Sequence, residues 1–268
     1  MRDGTSSSPP QPDLAALLAT FQRLQPAIVA LDGPAGSGKS TVGYQLAQQV
    51  NFLFFDTGVM YRAVTWAALQ GGVDPRNGTL VDHLADMIDI QVTSPLPTEQ
   101  DGRQNTVWVD GQDVTPHIRT PAVEQYVSIV SAYPLVRHAL GAKQRQISQQ
   151  YGTGRAEKAG VVMAGRDIGT VVVPEAPLKI YLEASAQERA RRRYAELLDK
   201  GKSVALDAIL DGIVQRDQLD SQRAVSPLRP AADAIILDTS ALSPAEVVLE
   251  ILRLASIVIV EKQVASSR

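Results

Sequence analysis

LDGPAGSGKS, residues 31–40, is the stretch that decides how the rest of the chain is interpreted. It follows an apolar run at 27–31 and precedes a helix predicted over 39–50. Residues 33–40 match the pattern G-x-x-x-x-G-K-[ST] in full. Glycines in such a loop permit positive φ, so consecutive backbone N–H groups can point at one anion, and the following helix adds its dipole. A Gly/Pro-rich turn without chemistry is the alternative, but the strand–loop–helix context favours a phosphate site.

Each part of this motif has an expected role in binding a nucleoside triphosphate. The ammonium of Lys39 would reach the β- and γ-phosphates, and the hydroxyl of Ser40 would help to hold Mg²⁺. The predicted site for the phosphoryl donor consists of Gly33, Pro34, Ala35, Gly36, Ser37, Gly38, Lys39, Ser40 and Thr41. GTPases, motor ATPases and small-molecule kinases share such loops. The sequence lacks the Asn-Lys-x-Asp pattern of guanine recognition, which weakens the GTPase interpretation.

Composition limits the classes of function. With 268 residues, of which 44% are hydrophobic, the chain can bury a large core. The formal net charge of −3 gives no reason to expect a nucleic-acid polymer or an anionic membrane as a partner. The sequence has no cysteine, no secretory signal at its start and no apolar run long enough for a membrane helix. We therefore expect a cytoplasmic protein that acts on small molecules and uses neither disulfides nor thiolate metal sites.

Strands and helices are predicted to alternate along most of the chain, which is typical of an α/β fold with a parallel sheet. Apolar runs predict the buried strands, at 27–31, 52–55, 160–164, 178–183 and 234–238. The region from about 77 to 120 breaks the alternation and contains a hairpin pattern with Asp110 and Gly111 at its turn. We interpret it as a small antiparallel insert on a P-loop NTPase fold, whose central parallel sheet is flanked by helices.

The organisation outside this core is predicted from composition and helical patterning. Charged helices over about 186–230 form a candidate lid. Residues 1–26 are expected to be a disordered or linker-like extension, with Asp13 capping a short helix inside it, and residues 255–268 to be a tail. The main domain would then span 27–254.

The sequence resembles the bacterial cytidylate kinases in five segments that follow one another in the family's order. They are GPAGSGKST, FFDTGVMYRAV, AGRDIGTVVVPEAPLKIYLEAS, ERARRR and RDQLDSQRAVSPLRPAADAIILDTS. The resemblance extends from about residue 27 to residue 254. It implies the fold of the P-loop nucleoside-monophosphate kinases, with a nucleotide-binding insert and a lid. It also implies transfer of the γ-phosphate of ATP to CMP or dCMP in the presence of Mg²⁺.

Residue chemistry already indicates a second anion site. Arg62 lies one helical turn past Gly58, where its guanidinium could clamp a phosphate. Arg166 and Asp167 follow a predicted strand, at the edge of the sheet where open α/β folds bind ligands. A carboxylate there could accept a hydrogen bond from the exocyclic amine of cytosine and would repel O4 of uracil. A solvated charge at Arg62 and a salt-bridged strand end at Arg166 and Asp167 are the alternatives.

The resemblance assigns roles at this second site. It implies that Asp167, Ser128 and Arg137 read the cytosine edge, while Asp220 contacts the ribose hydroxyls. It also implies that several residues bind the monophosphate, namely Thr57, Arg62, Arg166, Arg216 and Arg223. Tyr61 completes the predicted acceptor site. No residue of this sequence demands the role of a general base, and none is predicted.

Arginines at helical spacing form the predicted catalytic group. Arg189, Arg192 and Arg193 share one helix face by i, i+3, i+4 spacing, and the resemblance implies that they close over the transferring phosphoryl group. Together with Lys39 they would stabilise its charge. Solvated helix faces with internal ion pairs are the alternative, which we prefer for Arg191.

Two other functions stay open from the sequence. One is a P-loop kinase for another small acceptor such as UMP, and the other is a switch that binds ATP without an acceptor. A switch would not need a second set of arginines on two helices, so the kinase is favoured. We expect a monomer that binds CMP or dCMP and ATP.

Overall fold

The core of the protein is a five-stranded parallel sheet with the strand order β2-β6-β1-β7-β8. The computed structural model describes residues 13–99, 101–154, 156–199 and 201–266. The strands of this sheet are β1 (Ile28–Asp32), β2 (Leu53–Asp56), β6 (Val161–Gly165), β7 (Leu178–Glu183) and β8 (Ile235–Asp238). Every residue of β1 is buried, as expected where helices cover both faces of a parallel sheet. The predicted α/β class is confirmed.

Helices pack on both faces of this sheet because its strands are apolar on both sides. Val29 and Leu31 belong to one buried cluster, with residues of β7, α2 and α9. Ile28 and Ala30 belong to the other, with residues of α3 and α6. The α-helices are α1 (Leu14–Phe21), α2 (Lys39–Val50), α3 (Gly58–Gln70), α4 (Gly78–Met87), α5 (Pro121–Val130), α6 (Pro134–Gly152), α7 (Ala186–Asp199), α8 (Leu206–Ser221) and α9 (Pro244–Ser266).

The predicted antiparallel insert is present as a three-stranded sheet. Its strands are β3 (Ile90–Thr93), β4 (Thr106–Val109) and β5 (Gln112–Asp113), paired in that order. Asp110 and Gly111 have φ of 48° and 80°, as the turn of a two-residue hairpin requires. Val107 and Val109 are buried in the same cluster as α3, so the insert shares a hydrophobic core with one face of the main sheet.

Both ends of the described chain are packed against the sheet. Asp13 caps α1 by accepting a hydrogen bond from the N–H of Ala15, as predicted. Phe21 and Leu24 are buried beside α9, which differs from the linker-like expectation for this segment. Residues 1–12, predicted to be disordered, lie outside the described residues.

The C-terminal helix is longer than the sequence indicated. Ser243 and Glu246 form a capping box at its start, in which Ser243 N–H donates to Glu246 Oε2 at 2.8 Å. The helix continues to Ser266, and Ala255 and Ile259 are buried in the core. The boundary predicted at residue 254 therefore falls inside this helix.

No helix of the described residues combines the length and apolar character needed to cross a bilayer.

The parallel sheet directs four chain segments to one of its edges. The loops that follow β1, β2, β6 and β7 all leave from the carboxyl ends of parallel strands. This edge is where open α/β sheets bind ligands.

Candidate active site

The loop between β1 and α2 has the backbone conformation that its glycines predict. Gly33, Gly36 and Gly38 have φ of 148°, 79° and 91°, a region that residues with side chains rarely adopt. A Cβ on Gly33 would lie 2.1 Å from the carbonyl oxygen of Leu182 on the neighbouring strand β7. The loop therefore has to be glycine at this point, and α2 begins directly at Lys39.

Lys39 is enclosed by this loop. Its Nζ donates to the carbonyl oxygen of Pro34 at 2.6 Å and to Ser37 Oγ at 3.3 Å. Burial lowers the pKa of Lys39 well below its usual value, and the nearby positive charge of Arg166 lowers it further. A phosphate bound in the loop would supply the negative charge that offsets this desolvation.

The hydroxyl of Ser40 has a carboxylate partner that the sequence analysis missed. Ser40 Oγ donates to Asp56 Oδ2 at 3.3 Å, while Asp56 Oδ1 accepts from the N–H of Gly58 at 3.0 Å. Asp56 is the last residue of β2, and its position at a strand end beside the P-loop was the signal that could have identified it. Arg119 Nη2 lies 3.7 Å from the same carboxylate.

Asn105, on the insert, holds Asp56 from the other side. Its Nδ2 donates to the carbonyl oxygen of Phe54 at 2.6 Å, and its Oδ1 accepts from the N–H of Asp56 at 3.1 Å. β2 is an edge strand, so this side-chain amide takes the place of a neighbouring strand. No short sequence pattern identifies such a contact, because the two residues are 49 positions apart.

Just after β6, the strand between β2 and β1, Asp167 forms a buried ion pair with Arg137. Arg137 Nη2 lies 2.5 Å from Asp167 Oδ2, and both side chains are nearly inaccessible to solvent. Arg137 Nη1 also donates to the carbonyl oxygen of Ser131 at 3.0 Å, and the guanidinium lies 5.4 Å from the ring centroid of Tyr61. The structure thus brings together three of the residues predicted to bind the acceptor. Ser128 lies on α5, one turn before Ser131, and its carbonyl oxygen accepts a hydrogen bond from Ser131 Oγ.

Asp220 organises the arginines next to this pair. Its Oδ2 accepts from Arg166 Nε at 2.9 Å, and its Oδ1 pairs with Arg223. Although burial raises the pKa of Asp220, the positive charges of Arg166 and Arg223 outweigh this effect and lower it overall. Arg223 also donates to the hydroxyl of Ser131, a contact that the sequence analysis did not anticipate.

Arg216 is a buried guanidinium near these arginines whose positive charge is only partly compensated. Burial, together with the charge of Arg166, lowers the pKa of Arg216 to about 10. Its Nε is buried and has no hydrogen-bond partner within the described part of the chain. A buried, unpaired guanidinium N–H is costly, and a bound anion would satisfy it.

Arg62 and Thr57 already use their polar groups within the protein. Arg62 makes two hydrogen bonds to the carboxylate of Glu124, at 2.7 Å and 3.2 Å. Although burial raises the pKa of Glu124, the hydrogen bond and charge of Arg62 outweigh it and lower the pKa overall. Thr57 Oγ1 donates to the carbonyl oxygen of Ala164 on β6. Glu124 was not among the predicted site residues, and it offers Arg62 the carboxylate fork that a phosphate would match.

Helix α7 brings only part of the predicted catalytic group to the P-loop. Arg189 Nη1 donates to the carbonyl oxygen of Ala35 at 2.9 Å, and its guanidinium pairs with Asp217 of α8. Arg192 contacts Thr239, whose hydroxyl in turn donates to the carbonyl oxygen of Ser37. Arg193 instead pairs with Glu196 at 2.7 Å, and its side chain is 46% exposed.

The P-loop and the neighbouring arginines share one electrostatic environment. The positive charges of Arg166 and Arg216 both lower the pKa of Lys39, although Arg166 follows β6, Arg216 lies on α8 and Lys39 belongs to the P-loop. Fold and site therefore define the class of protein: a P-loop nucleotide-binding protein with a second cluster of arginines near the loop, an arrangement that suits a phosphotransferase.

Comparison with known proteins identifies the family within this class. The family model for cytidylate kinase matches residues 29–256. A cytidylate kinase of Roseiflexus castenholzii is 50% identical over 231 residues, which cover 86% of this chain and 94% of that protein. A cytidylate kinase of Chloroflexus aggregans is 48% identical over 85% of this chain and 93% of its own length. A bifunctional pantoate ligase/cytidylate kinase of Synechococcus is 43% identical over 91% of this chain, which corresponds to 43% of that longer protein. The chain belongs to the cytidylate kinase family.

Proposed function

We propose that this protein transfers the γ-phosphate of ATP to CMP and dCMP, forming CDP or dCDP and ADP. The observation that carries the proposal is the buried Arg137–Asp167 pair, which adjoins the arginine cluster around Asp220. A switch that only binds ATP needs neither feature. Membership of the cytidylate kinase family, with ATP as its phosphoryl donor, supports the same reaction.

Cytosine is the base that the Arg137–Asp167 pair suits best. The carboxylate of Asp167 can accept a hydrogen bond from the exocyclic amine, while the guanidinium of Arg137 can donate to the ring nitrogen or carbonyl oxygen beside it. Uracil would place a carbonyl oxygen against the carboxylate and leave a buried acceptor without a donor. Ser128, one turn before Ser131, is the third residue that we propose at this edge.

The acceptor phosphate would occupy the space between the arginines. Arg216 has an unpaired buried N–H, and Arg62 can exchange the carboxylate of Glu124 for a phosphate. The hydroxyl of Thr57 would add a contact, and Asp220 is proposed to accept from the ribose hydroxyls. The residues proposed to hold the phosphate are Thr57, Arg62, Arg166, Arg216 and Arg223.

Phosphoryl transfer would take place beside Lys39. Its ammonium would contact the β- and γ-phosphates, and Arg189 and Arg192 lie against the same loop. These fixed charges stabilise the negative charge that redistributes over the phosphoryl oxygens in the transition state. Arg193 remains a proposed member of this group, which requires its side chain to leave Glu196.

The residues beside the P-loop fit a magnesium ion. Ser40 and Asp56 place a hydroxyl and a carboxylate oxygen side by side, which are ligands that Mg²⁺ accepts. The described residues contain no group of three or more His, Cys, Asp or Glu side chains that could hold a metal ion. This suits an ion that is bound by one or two protein oxygens together with phosphates and water. When bound, Mg²⁺ would neutralise charge on the phosphates.

A coupled assay of ADP release tests the proposal. ATP and Mg²⁺ are held constant, and CMP, dCMP, UMP and AMP are compared as acceptors, with an acceptor-free reaction as the control. We expect release with CMP and dCMP and little with the others. Preferential release with UMP would identify another acceptor, and release that no acceptor stimulates would identify an ATP-binding switch or ATPase.

A monomeric state and a cytoplasmic location remain predictions from the sequence.

A further inference from the structure

Asp32 is a buried carboxylate for which the reaction described above has no use. It is the last residue of the central strand β1, directly before Gly33, and is 5% exposed. Its Oδ1 accepts from the N–H of Ile168 at 2.9 Å, and its Oδ2 accepts from the N–H of Gly169 at 2.8 Å. Both oxygens are therefore committed to the start of one short helical turn, Ile168–Val172, at residues 136 and 137 positions further along the chain.

This turn directly follows Arg166 and Asp167, the two residues proposed to face the acceptor. β1 and β6 pair in parallel, with Asp32 opposite Gly165. The backbone is thus fixed by the strand pairing at Gly165 and again by the carboxylate at Ile168. Arg166 and Asp167 are the only residues between these two fixed points.

The surroundings leave the turn little room to shift. Ile168 is fully buried. A Cβ on Gly169 would lie 3.1 Å from Lys179 Cδ and 3.4 Å from Asp32 Oδ2. A Cβ on Gly165 would lie 2.6 Å from Ile168 Cδ1 and 2.8 Å from Thr57 Oγ1. Because these contacts leave no room for Ile168 or Gly169 to move alone, a change in the hydrogen bonds of Asp32 would be taken up by the packed turn as a unit, which displaces Asp167 as well.

Burial makes this carboxylate energetically costly. Burial raises the pKa of Asp32 to about 6, and the negative charge of Asp167 adds to this rise. The two backbone N–H groups and the positive charge of Lys39 act in the opposite direction. Tyr181 of β7 lies opposite Asp32 and interacts with this carboxylate, whereas the ammonium of Lys179, on the same strand, is paired with Asp233. An apolar residue would avoid the desolvation cost but could not hold two N–H groups.

We propose that Asp32 is a positioning residue for the acceptor: by holding the N–H groups of Ile168 and Gly169, it fixes Arg166 and Asp167 in the orientation that reads the base and phosphate of the monophosphate. Asp32 thereby connects the acceptor site to the P-loop, because Gly33 follows it directly. This inference rests on the proposed (d)CMP kinase activity.

The test uses Asp32→Asn, which keeps the size of the side chain. Its single carbonyl oxygen can satisfy one backbone N–H, but its amide presents a donor to the other. Asp32→Glu keeps the charge and displaces it by one methylene group. Asp74→Asn is the matched control, because Asp74 also accepts from a backbone N–H, that of Arg76, at an exposed turn. For each protein, KM and kcat are measured separately for ATP, CMP and UMP, and thermal unfolding is recorded.

We expect Asp32→Asn to raise the KM for CMP by at least about tenfold, because one buried N–H is left unsatisfied and the turn moves. The KM for ATP should change by less than about threefold, the preference for CMP over UMP should narrow, and Asp32→Glu should share these effects. Should Asp32→Asn not fold, Asp32→Glu carries the same test. Asp74→Asn should match the wild type.

An unchanged KM for CMP in a folded variant would overturn the inference, as would equal increases in the KM for ATP and for CMP. The proposed function fails in a different way, since the wild type itself would then not phosphorylate CMP. The two failures are therefore distinguishable.

Discussion

At the scale of single residues, Lys39 shows how a motif becomes a charge site. Its ammonium is held by the carbonyl oxygen of Pro34 and by Ser37, and its position inside the P-loop leaves it to interact with an anion and not with the hydrophobic core. Burial lowers its pKa, so removing the charge should not destabilise the fold.

We expect Lys39→Ala to lower kcat by at least about 10²-fold, the size of effect seen when one charge-stabilising donor is removed from an active site. The thermal midpoint should stay close to that of the wild type. Lys143→Ala is the matched control, since Lys143 also donates to a backbone carbonyl, that of Ile88. Near-normal turnover of Lys39→Ala would contradict the assignment of residues 33–40 as the donor site.

Residue patterns predicted the P-loop better than the carboxylates that contact the residues around it. The P-loop could be predicted because its function depends on backbone conformation, which short sequence spacing encodes. Glu124 could not, because it acts on a partner that folding brings near, and Asp56 is indicated only by its position at the end of a strand beside the P-loop. Glu124 contacts Arg62 across 62 positions of the chain.

At the scale of elements, helix α7 separates arginines that the sequence grouped together. Helical spacing predicted one shared face for these arginines, of which Arg189 contacts the P-loop directly and Arg192 contacts it through Thr239. It could not show that Arg193 pairs with Glu196 on the same helix, since an i, i+3 pair and a ligand contact are compatible with the same spacing. The burial of Arg189 and the exposure of Arg193 therefore lead to different expectations for the two side chains.

We expect Arg189→Ala to lower kcat more than Arg193→Ala does, with KM for CMP affected less than kcat in both. Arg189 contacts the P-loop directly, whereas Arg193 has to leave its ion pair before it can contribute. Arg191→Ala, at a side chain that is 71% exposed, serves as the control and should match the wild type. A larger loss in Arg193→Ala would show that α7 rearranges when nucleotides bind. A loss confined to KM for CMP would place the residue concerned in acceptor binding.

At the scale of the whole molecule, buried charges make stability depend on pH. Because folding raises the pKa of Asp32 from 3.8 to about 6, the folded protein binds this proton more tightly than the unfolded chain does. The contribution of Asp32 to stability is therefore largest below the unfolded pKa and is lost as pH rises through about 6.

Asp32→Asn removes this titration, so comparison of its unfolding with that of the wild type isolates the effect. We expect the free energy of unfolding of the wild type, relative to the variant, to fall between pH 4 and pH 7, by at most about 1.4 kcal/mol per pH unit. Urea unfolding at pH 4.5, 5.5 and 7 measures it. Carboxylates with lowered pKa, such as Asp220, are common to both proteins and cancel in the difference. A difference that stays constant or rises with pH would contradict the raised pKa.

The fold was more predictable from sequence than the extent of its core. Alternating apolar runs predicted the parallel sheet and the hairpin at Asp110 and Gly111, because local periodicity and turn chemistry encode both. The packing of α1 and of the end of α9 was missed. Both depend on tertiary contacts among buried side chains such as Phe21 and Ile259, which no local pattern distinguishes from an amphipathic tail.

The measurement that tests the central claim most directly is the ratio of kcat/KM for CMP to that for UMP, in the wild type and in Asp167→Asn. In the folded protein the carboxylate of Asp167 is buried and paired with Arg137, so it can discriminate a base amine from a base carbonyl. Asparagine offers both a donor and an acceptor, and we expect the ratio to fall by at least about tenfold, while KM for ATP is unchanged. A ratio that stays constant while overall activity falls would contradict base reading by Asp167, and would move it to Ser128 and Arg137.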